Sequence, residues 1–239
     1  MSDSVRDLIL VLADTKRVLG MRYAEWILGA PALEAGIACA SMAQDEWGHG
    51  RLLYALLKDF GDDVEKLEHG REAGEYRNLE LLDESPQNWP ELVVINALAD
   101  AAVSVQLEAL RTSEYAPLRQ RVGKILDEEE FHAAHGTAWL KRIASASGDT
   151  RNALGASVER ALPVLLRWFG PGTTGDELRA RYLERVTPLL DSVELRVASN
   201  AEPDFTGFDE ATRRTQHHGP DTATIARIRG DKNRAFLTD

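Results

Sequence analysis

Two short motifs in this sequence place a carboxylate and an imidazole three residues apart. Glu46 and His49 form one of them, within QDEWGHGRLLY at residues 44–54, and Glu129 and His132 form the other. Residues at this spacing share one face of an α-helix, about one turn apart, so both side chains of a pair can reach the same bound ion. Such pairs are typical of iron and manganese sites inside helical bundles.

Both motifs, together with Asp100 and Lys16, lie in the middle of helix faces that are otherwise apolar. Counting along the chain from the turns that join these helices predicts that Lys16 lies opposite Glu46 and that Asp100 lies opposite Glu129. The charged side chains should therefore gather in one layer of the bundle. Such a layer needs compensation, because burying an unpaired charge is very unfavourable.

Three arrangements could compensate these charges. In the first, two iron or manganese ions bind a carboxylate-bridged site of the ferritin-like kind. In the second, no metal binds, and Lys16 with two protonated histidines neutralises Glu46, Asp100 and Glu129. In the third, Asp14 completes a metal site, or Lys16 lies beside the metal as a neutral amine. Lys16 is the residue that makes the metal-free arrangement possible.

The elements that hold these residues are predicted to be helices, because apolar residues recur at intervals of three and four rather than two. Capping residues, glycines and prolines give the approximate helical ranges 4–28, 31–60, 90–114, 117–147, 151–168 and 175–198. The predicted fold class is all-α, a ferritin-like four-helix bundle with two additional C-terminal helices. We assign residues 1–198 to this domain and residues 199–239 to an extended tail, with one short helix, that packs on the bundle or on a partner.

The composition narrows the classes of partner and the compartment. The chain of 239 residues carries a net charge of −11, which argues against nucleic acid and anionic membranes as partners. A single cysteine, Cys39, excludes a disulfide framework and a cysteine metal site. We find no signal peptide and no run approaching the ~18 apolar residues of a membrane span. We therefore expect a cytoplasmic protein.

Around the two motifs the sequence resembles a known family. APALEAGIACASMAQDEWGHGRLLYALLKDFG and ILDEEEFHAAHG are similar to the catalytic subunit of the bacterial phenylacetyl-CoA epoxygenase complex, a ferritin-like di-iron protein. LADTKRVLGMRYAEW and the tail segment RRTQHHGP are more similar to the sister subunit of that complex. That sister has the same fold, has lost the metal site and serves as a structural partner. The resemblance to the catalytic subunit covers about residues 5–170.

The resemblance to the catalytic subunit implies a monooxygenase component of phenylacetate catabolism that activates O2 and acts on an aromatic acyl-CoA. The implied cofactor is iron, as a di-iron centre, with a single metal or manganese as alternatives. The implied metal ligands are Glu46, His49, Asp100, Glu129 and His132. The candidate catalytic residues are Lys16, Glu46 and Glu129. A separate reductase would supply electrons, and we expect a homodimer or a heterodimer with a sister ferritin-like subunit.

The first helix departs from the catalytic pattern, because the family has a glutamate where this chain has Lys16. The resemblance to the sister subunit therefore implies a second function, a non-catalytic structural subunit with a metal-free salt-bridge network around Lys16. Two further features near these residues each allow two interpretations. Ser104 and Gly136 leave room for a substrate or allow close helix packing, and His135 supports the ligands or packs in the core.

Overall fold

The computed structural model describes residues 3–195, 203–233 and 236. Within these ranges the regular elements are helices, and the β-structure is one isolated bridge between residues 209 and 214. The predicted all-α fold class is confirmed. The chain forms two compact units, the first from residues 1–85 and 209–239 and the second from residues 86–208. Each contains a long antiparallel helix pair, the element from which ferritin-like bundles are built.

All six predicted helices are present, with ends that differ by a few residues. In chain order the α-helices are α1 (Asp3–Ala24), α2 (Leu33–Tyr54), α3 (Val64–His69), α4 (Trp89–Val94), α5 (Asp100–Ala109), α6 (Ala116–Ala144), α7 (Asp149–Trp168), α8 (Gly172–Ser192) and α9 (Thr222–Arg229). Short 3₁₀ turns span Ala55–Phe60, Ala73–Glu75, Glu80–Leu82 and Leu110–Thr112. The predicted domain boundary at residue 198 lies outside the described residues.

The antiparallel hairpin of α1 and α2 is the main body of the first unit. Glycines allow close packing here. A Cβ added at Gly20 on α1 would collide with the indole of Trp47 on α2, and one at Gly36 on α2 would collide with the carbonyl oxygen of Ile27 in the turn between the helices. The first helix ends at Ala24 rather than at the predicted residue 28. The second begins after Pro31, because Ala32 has an extended backbone. Large apolar side chains are exposed in the turn between them, at Ile27 and Leu28, and at the start of α2, at Leu33 and Ile37.

From residue 209 on, the described part of the C-terminal tail packs on the rest of the first unit through buried arginines. The Arg22 guanidinium donates to the carbonyl oxygen of Leu82 at 3.0 and 2.8 Å and to the hydroxyl of Thr224 at 2.9 Å. Arg214, from the tail, donates to the carbonyl oxygen of Asn78 at 2.6 Å and pairs with Asp83. The tail thus has fixed contacts, and its one short helix, α9, agrees with the sequence prediction.

The second unit is organised around the antiparallel pair formed by α4–α5 and α6. Here α4, a π-helical turn at Ile95–Ala99, α5 and the following 3₁₀ turn form one continuous helix. A Cβ added at Gly136 on α6 would lie 3.0 Å from the backbone of Ala97 and 2.9 Å from Asn96 Oδ1. Gly136 therefore serves close helix packing, which decides between its two predicted roles. The remaining helices of the unit pack alongside, α7 against α4 and α8 against α5.

Among the described residues one helix, Trp89–Thr112, is long and apolar enough to cross a membrane, with a window of mean hydropathy 1.5. The sequence predicts no run approaching the ~18 apolar residues of a membrane span, and this helix is found because the test of length and mean hydropathy admits isolated charges such as Asp100. Of that window, 83% is buried inside the protein. A core helix passes the same test of length and composition, so a single such helix is weak evidence for a span.

We expect Gly36→Ala to lower the free energy of unfolding by about 1–3 kcal/mol, because the added methyl group has no space beside Ile27. Gly48→Ala on the same helix is the matched control. Its Cβ would meet nothing within 4 Å, and the higher helix propensity of alanine should stabilise the protein by roughly 0.5–1 kcal/mol. Urea unfolding followed by circular dichroism measures both changes. Equal effects of the two substitutions would contradict the close contact between Gly36 on α2 and the backbone of Ile27 in the preceding turn.

Candidate metal centre

In the second unit two carboxylates and an imidazole converge in the core. One ligand atom from each of Asp100, Glu129 and His132 lies within 4.8 Å of the others, and all three side chains are buried. His132 Nδ1 is 3.7 Å from Asp100 Oδ2 and 3.7 Å from Glu129 Oε2. The prediction that Asp100 lies opposite Glu129 is confirmed. Two carboxylates and one imidazole are a donor set that suits divalent iron or manganese.

The backbone places Asp100 with an irregular turn. Asp100 is the first residue of α5 and follows the π-helical turn Ile95–Ala99 directly. Turns of this kind are rare and occur frequently at functional sites. From this turn the buried side chain of Asn96 donates to Asp100 Oδ2 and to the carbonyl oxygen of His132, each at 3.1 Å. Asn96 therefore links the two helices that carry the cluster.

The first unit contains the other Glu-x-x-His motif and a buried ion pair. Lys16 Nζ on α1 donates to Glu46 Oε1 on α2 at 3.0 Å, and both side chains have 0% exposure. His49 Nδ1 lies 4.0 Å from Glu46 Oε2. The prediction that Lys16 lies opposite Glu46 is confirmed. The roles of Glu46 and His49 as metal ligands, the catalytic roles of Lys16, Glu46 and Glu129, and the common layer for all these charges stay predictions.

Asp14 is held away from any metal by its own set of partners. Its carboxylate pairs with both terminal nitrogens of Arg71 and accepts hydrogen bonds from the Tyr54 hydroxyl and, at 2.8 Å, from the backbone N–H of Arg77. Burial raises the pKa of Tyr54 well above its usual value, and the charge of Asp14 raises it further. Burial alone would lower the pKa of Arg71, but the pairing with Asp14 raises it overall. The alternative in which Asp14 completes a metal site is therefore wrong.

Both units supply buried side chains that could bind a metal ion. Asp100, Glu129 and His132 in the second unit form a compact set of oxygen and nitrogen donors and fit a divalent ion. In the first unit Lys16 already brings a positive charge to Glu46, as the metal-free arrangement requires. The two halves of the predicted ligand set therefore meet different electrostatic conditions.

Two residues that shape these surroundings were missed by the sequence reasoning. Asn96 had a usable signal, because it is a polar residue four positions before Asp100 on an apolar helix face. Arg71 had none, since it lies in a polar connection with no helical periodicity and reaches Asp14 only through the fold.

Comparison with known proteins gives concordant results. The model of the family described as Phenylacetic acid catabolic protein matches residues 2–229. The chain is 26% identical over 189 residues to the A subunit of 1,2-phenylacetyl-CoA epoxidase from Escherichia coli (strain K12), covering 72% of the chain and 61% of that relative. It is 28% identical over 205 residues to the C subunit of the same enzyme, covering 85% of the chain and 80% of the relative. The chain thus spans less than two thirds of the length of the A subunit. The predicted resemblance to both kinds of subunit is confirmed.

A double-mutant cycle in metal-free buffer tests the buried pair of Lys16 and Glu46. We expect Lys16→Met to lower the free energy of unfolding by about 3–5 kcal/mol, because a buried carboxylate loses its ammonium partner. The double variant Lys16→Met with Glu46→Leu should recover most of this loss, since apolar residues can replace a buried ion pair at little cost.

Lys124→Met is the control for this cycle, because Lys124 forms an exposed pair with Glu128 at 3.9 Å. Its effect should stay below about 1 kcal/mol. Additive effects of the two substitutions at Lys16 and Glu46 would contradict a coupled pair.

Proposed function

This chain belongs to the phenylacetic acid catabolic protein family, and we propose that it is the oxygenase component of an enzyme that acts on an aromatic acyl-CoA. The observation that carries the proposal is the buried convergence of Asp100, Glu129 and His132 in the second unit. A structural helix pair has no need for two carboxylates and an imidazole in its core, whereas a metal ion requires such donors.

In this proposal Asp100, Glu129 and His132 hold iron. The sequence pattern adds Glu46 and His49 as further ligands, because they repeat the Glu-x-x-His spacing on a second long helix. Carboxylate and imidazole donors also suit manganese, so iron is chosen over manganese on the strength of the resemblance. The ligand set would contain three carboxylates, and Lys16 would contribute the positive charge that lies beside one of them.

When bound, reduced iron supplies the electrons that activate O2 for insertion of one oxygen atom into the substrate. The chain's own residues provide the surroundings for that step. Burial of the ligands excludes water, and the Asn96 amide donates a hydrogen bond to Asp100 Oδ2 at 3.1 Å. Lys16 Nζ donates a hydrogen bond to Glu46 Oε1 at 3.0 Å, and in this proposal the pair handles a proton beside that ligand.

The substrate class and the partners follow from the relatives. Both are named as subunits of a phenylacetyl-CoA epoxidase, so the proposed substrate is an aromatic acyl-CoA and the proposed partner is a sister ferritin-like subunit. A separate reductase would supply electrons, because the sequence carries no flavin or iron–sulfur motif.

A second candidate function is favoured by a specific observation. The ion pair between Lys16 and Glu46 is fully buried. The lysine can therefore supply the positive charge that a bound metal ion would otherwise bring to Glu46. The similarity to the C subunit of the epoxidase also extends over 85% of the chain. In this alternative the chain is a non-catalytic structural subunit that binds no metal and supports an enzymatic partner.

Metal content separates the two candidates. After anaerobic loading with Fe(II) and desalting, the oxygenase proposal predicts about two irons per chain, the number that a carboxylate-bridged site holds. We expect His132→Ala to lose most of this iron. His218→Ala is the control, because His218 is exposed on the tail, and it should keep the iron.

Elemental analysis together with circular dichroism makes this measurement and shows that the variants are folded. About one iron per chain would indicate a site altered by Lys16. An iron content of the wild type no higher than that of His132→Ala would contradict the oxygenase proposal and support the structural subunit.

A further inference from the structure

The amide of Asn96 has a third contact that the proposed function does not use. Its Nδ2 donates to Asp100 Oδ2 and to the carbonyl oxygen of His132, and its Oδ1 lies 2.9 Å from His135 Nδ1. His135 follows His132 by one turn on α6. A single buried side chain therefore touches a proposed ligand, the backbone of a second proposed ligand and a further histidine.

These contacts determine which way the amide points. The nitrogen of an asparagine amide only donates, and both groups beside Nδ2 are oxygen atoms that accept. The flipped amide would place its oxygen against these two oxygens. Oδ1 therefore faces His135, and Gly136 keeps the space in which it lies, because a Cβ there would come within 2.9 Å of that oxygen.

The orientation of Asn96 in turn determines the tautomer of His135. Because Oδ1 can only accept, His135 Nδ1 must carry the proton that it donates. Burial, with the charge of His132 in addition, lowers the pKa of His135 and so favours the neutral ring. In a neutral ring protonated at Nδ1, the other nitrogen has a lone pair. His135 Nε2 is buried and accepts no hydrogen bond from the part of the chain that the structure describes.

We propose that Asn96 is a positioning residue of the metal centre: its one amide orients the Asp100 carboxylate and fixes His135 as the Nδ1–H tautomer, which leaves Nε2 as a hydrogen-bond acceptor. The part that concerns Asp100 rests on the proposed function, in which Asp100 is a metal ligand. The part that concerns His135 does not depend on a metal. Hydrogen bonds to ligands from surrounding side chains set ligand orientation and metal affinity.

The tautomer can be measured on the unaltered, metal-free protein. Long-range ¹H–¹⁵N correlation of histidine-labelled protein at neutral pH distinguishes a protonated ring nitrogen from one with a lone pair. The chain has 6 histidines, and a His135→Gln sample assigns the signal. We expect a protonated Nδ1 and an unprotonated Nε2 at His135. The opposite tautomer would overturn the inference, and this result requires no variant of Asn96 to fold.

Metal affinity tests the orientation of Asp100. We expect Asn96→Leu to weaken Co(II) binding about 10–100-fold, as read from the visible absorption of the bound ion, and to release the fixed tautomer of His135. Asn152→Leu is the matched control, since Asn152 is exposed on α7, and it should change neither readout.

The outcomes separate this inference from the proposed function. Tight Co(II) binding by the wild type with unchanged affinity in Asn96→Leu would overturn the positioning role alone. Absence of Co(II) binding by the wild type would overturn the proposed function and, with it, the role of Asn96 towards Asp100.

Discussion

The unfavourable free energy of burying charge is the constraint on which this structure depends. The helices α1, α2, α5 and α6 bring ionisable side chains to positions that would otherwise be apolar, and Lys16, Glu46, Asp100 and Glu129 are almost completely buried there. Such groups are tolerated only where an opposite charge, hydrogen bonds or a bound cation compensates for the lost hydration. The kind of compensation in each unit therefore carries the functional information.

The two units compensate their buried carboxylates by different means. In the first unit the chain supplies its own cations, with Lys16 paired to Glu46 and Arg71 paired to Asp14. In the second unit Asp100 contacts the amide of Asn96 and the imidazole of His132, groups that support or join a carboxylate in binding a metal ion. In the first unit Lys16 offsets the charge of Glu46, whereas the groups of the second unit have the composition of a ligand set.

The chain is similar to two different subunits of one epoxidase, at 26% and 28% identity, and its buried charges bear on both proposed functions. The Glu-x-x-His motifs and Asp100 favour the catalytic function, and Lys16 favours the structural one. A lysine beside Glu46 does not by itself exclude a metal, because its positive charge offsets part of the excess negative charge of three carboxylates. The π-helical turn before Asp100 carries Asn96, whose amide donates to the Asp100 carboxylate. Irregular turns and supporting hydrogen bonds of this kind are typical of metal centres, so they favour the catalytic function.

The sequence by itself determined the all-α class, the six long helices and the facing of Lys16 with Glu46 and of Asp100 with Glu129, because periodicity and distance from a turn are local properties of a helix. It left open whether Asp14 completes the site and whether Gly136 makes space for a substrate. Those questions depend on contacts between residues far apart in the chain, such as Arg71 with Asp14. They also depend on the irregular turn at Ile95–Ala99, which the spacing of apolar residues does not predict. Only the tertiary structure decided them, because long-range side-chain pairing and backbone irregularity are set by packing.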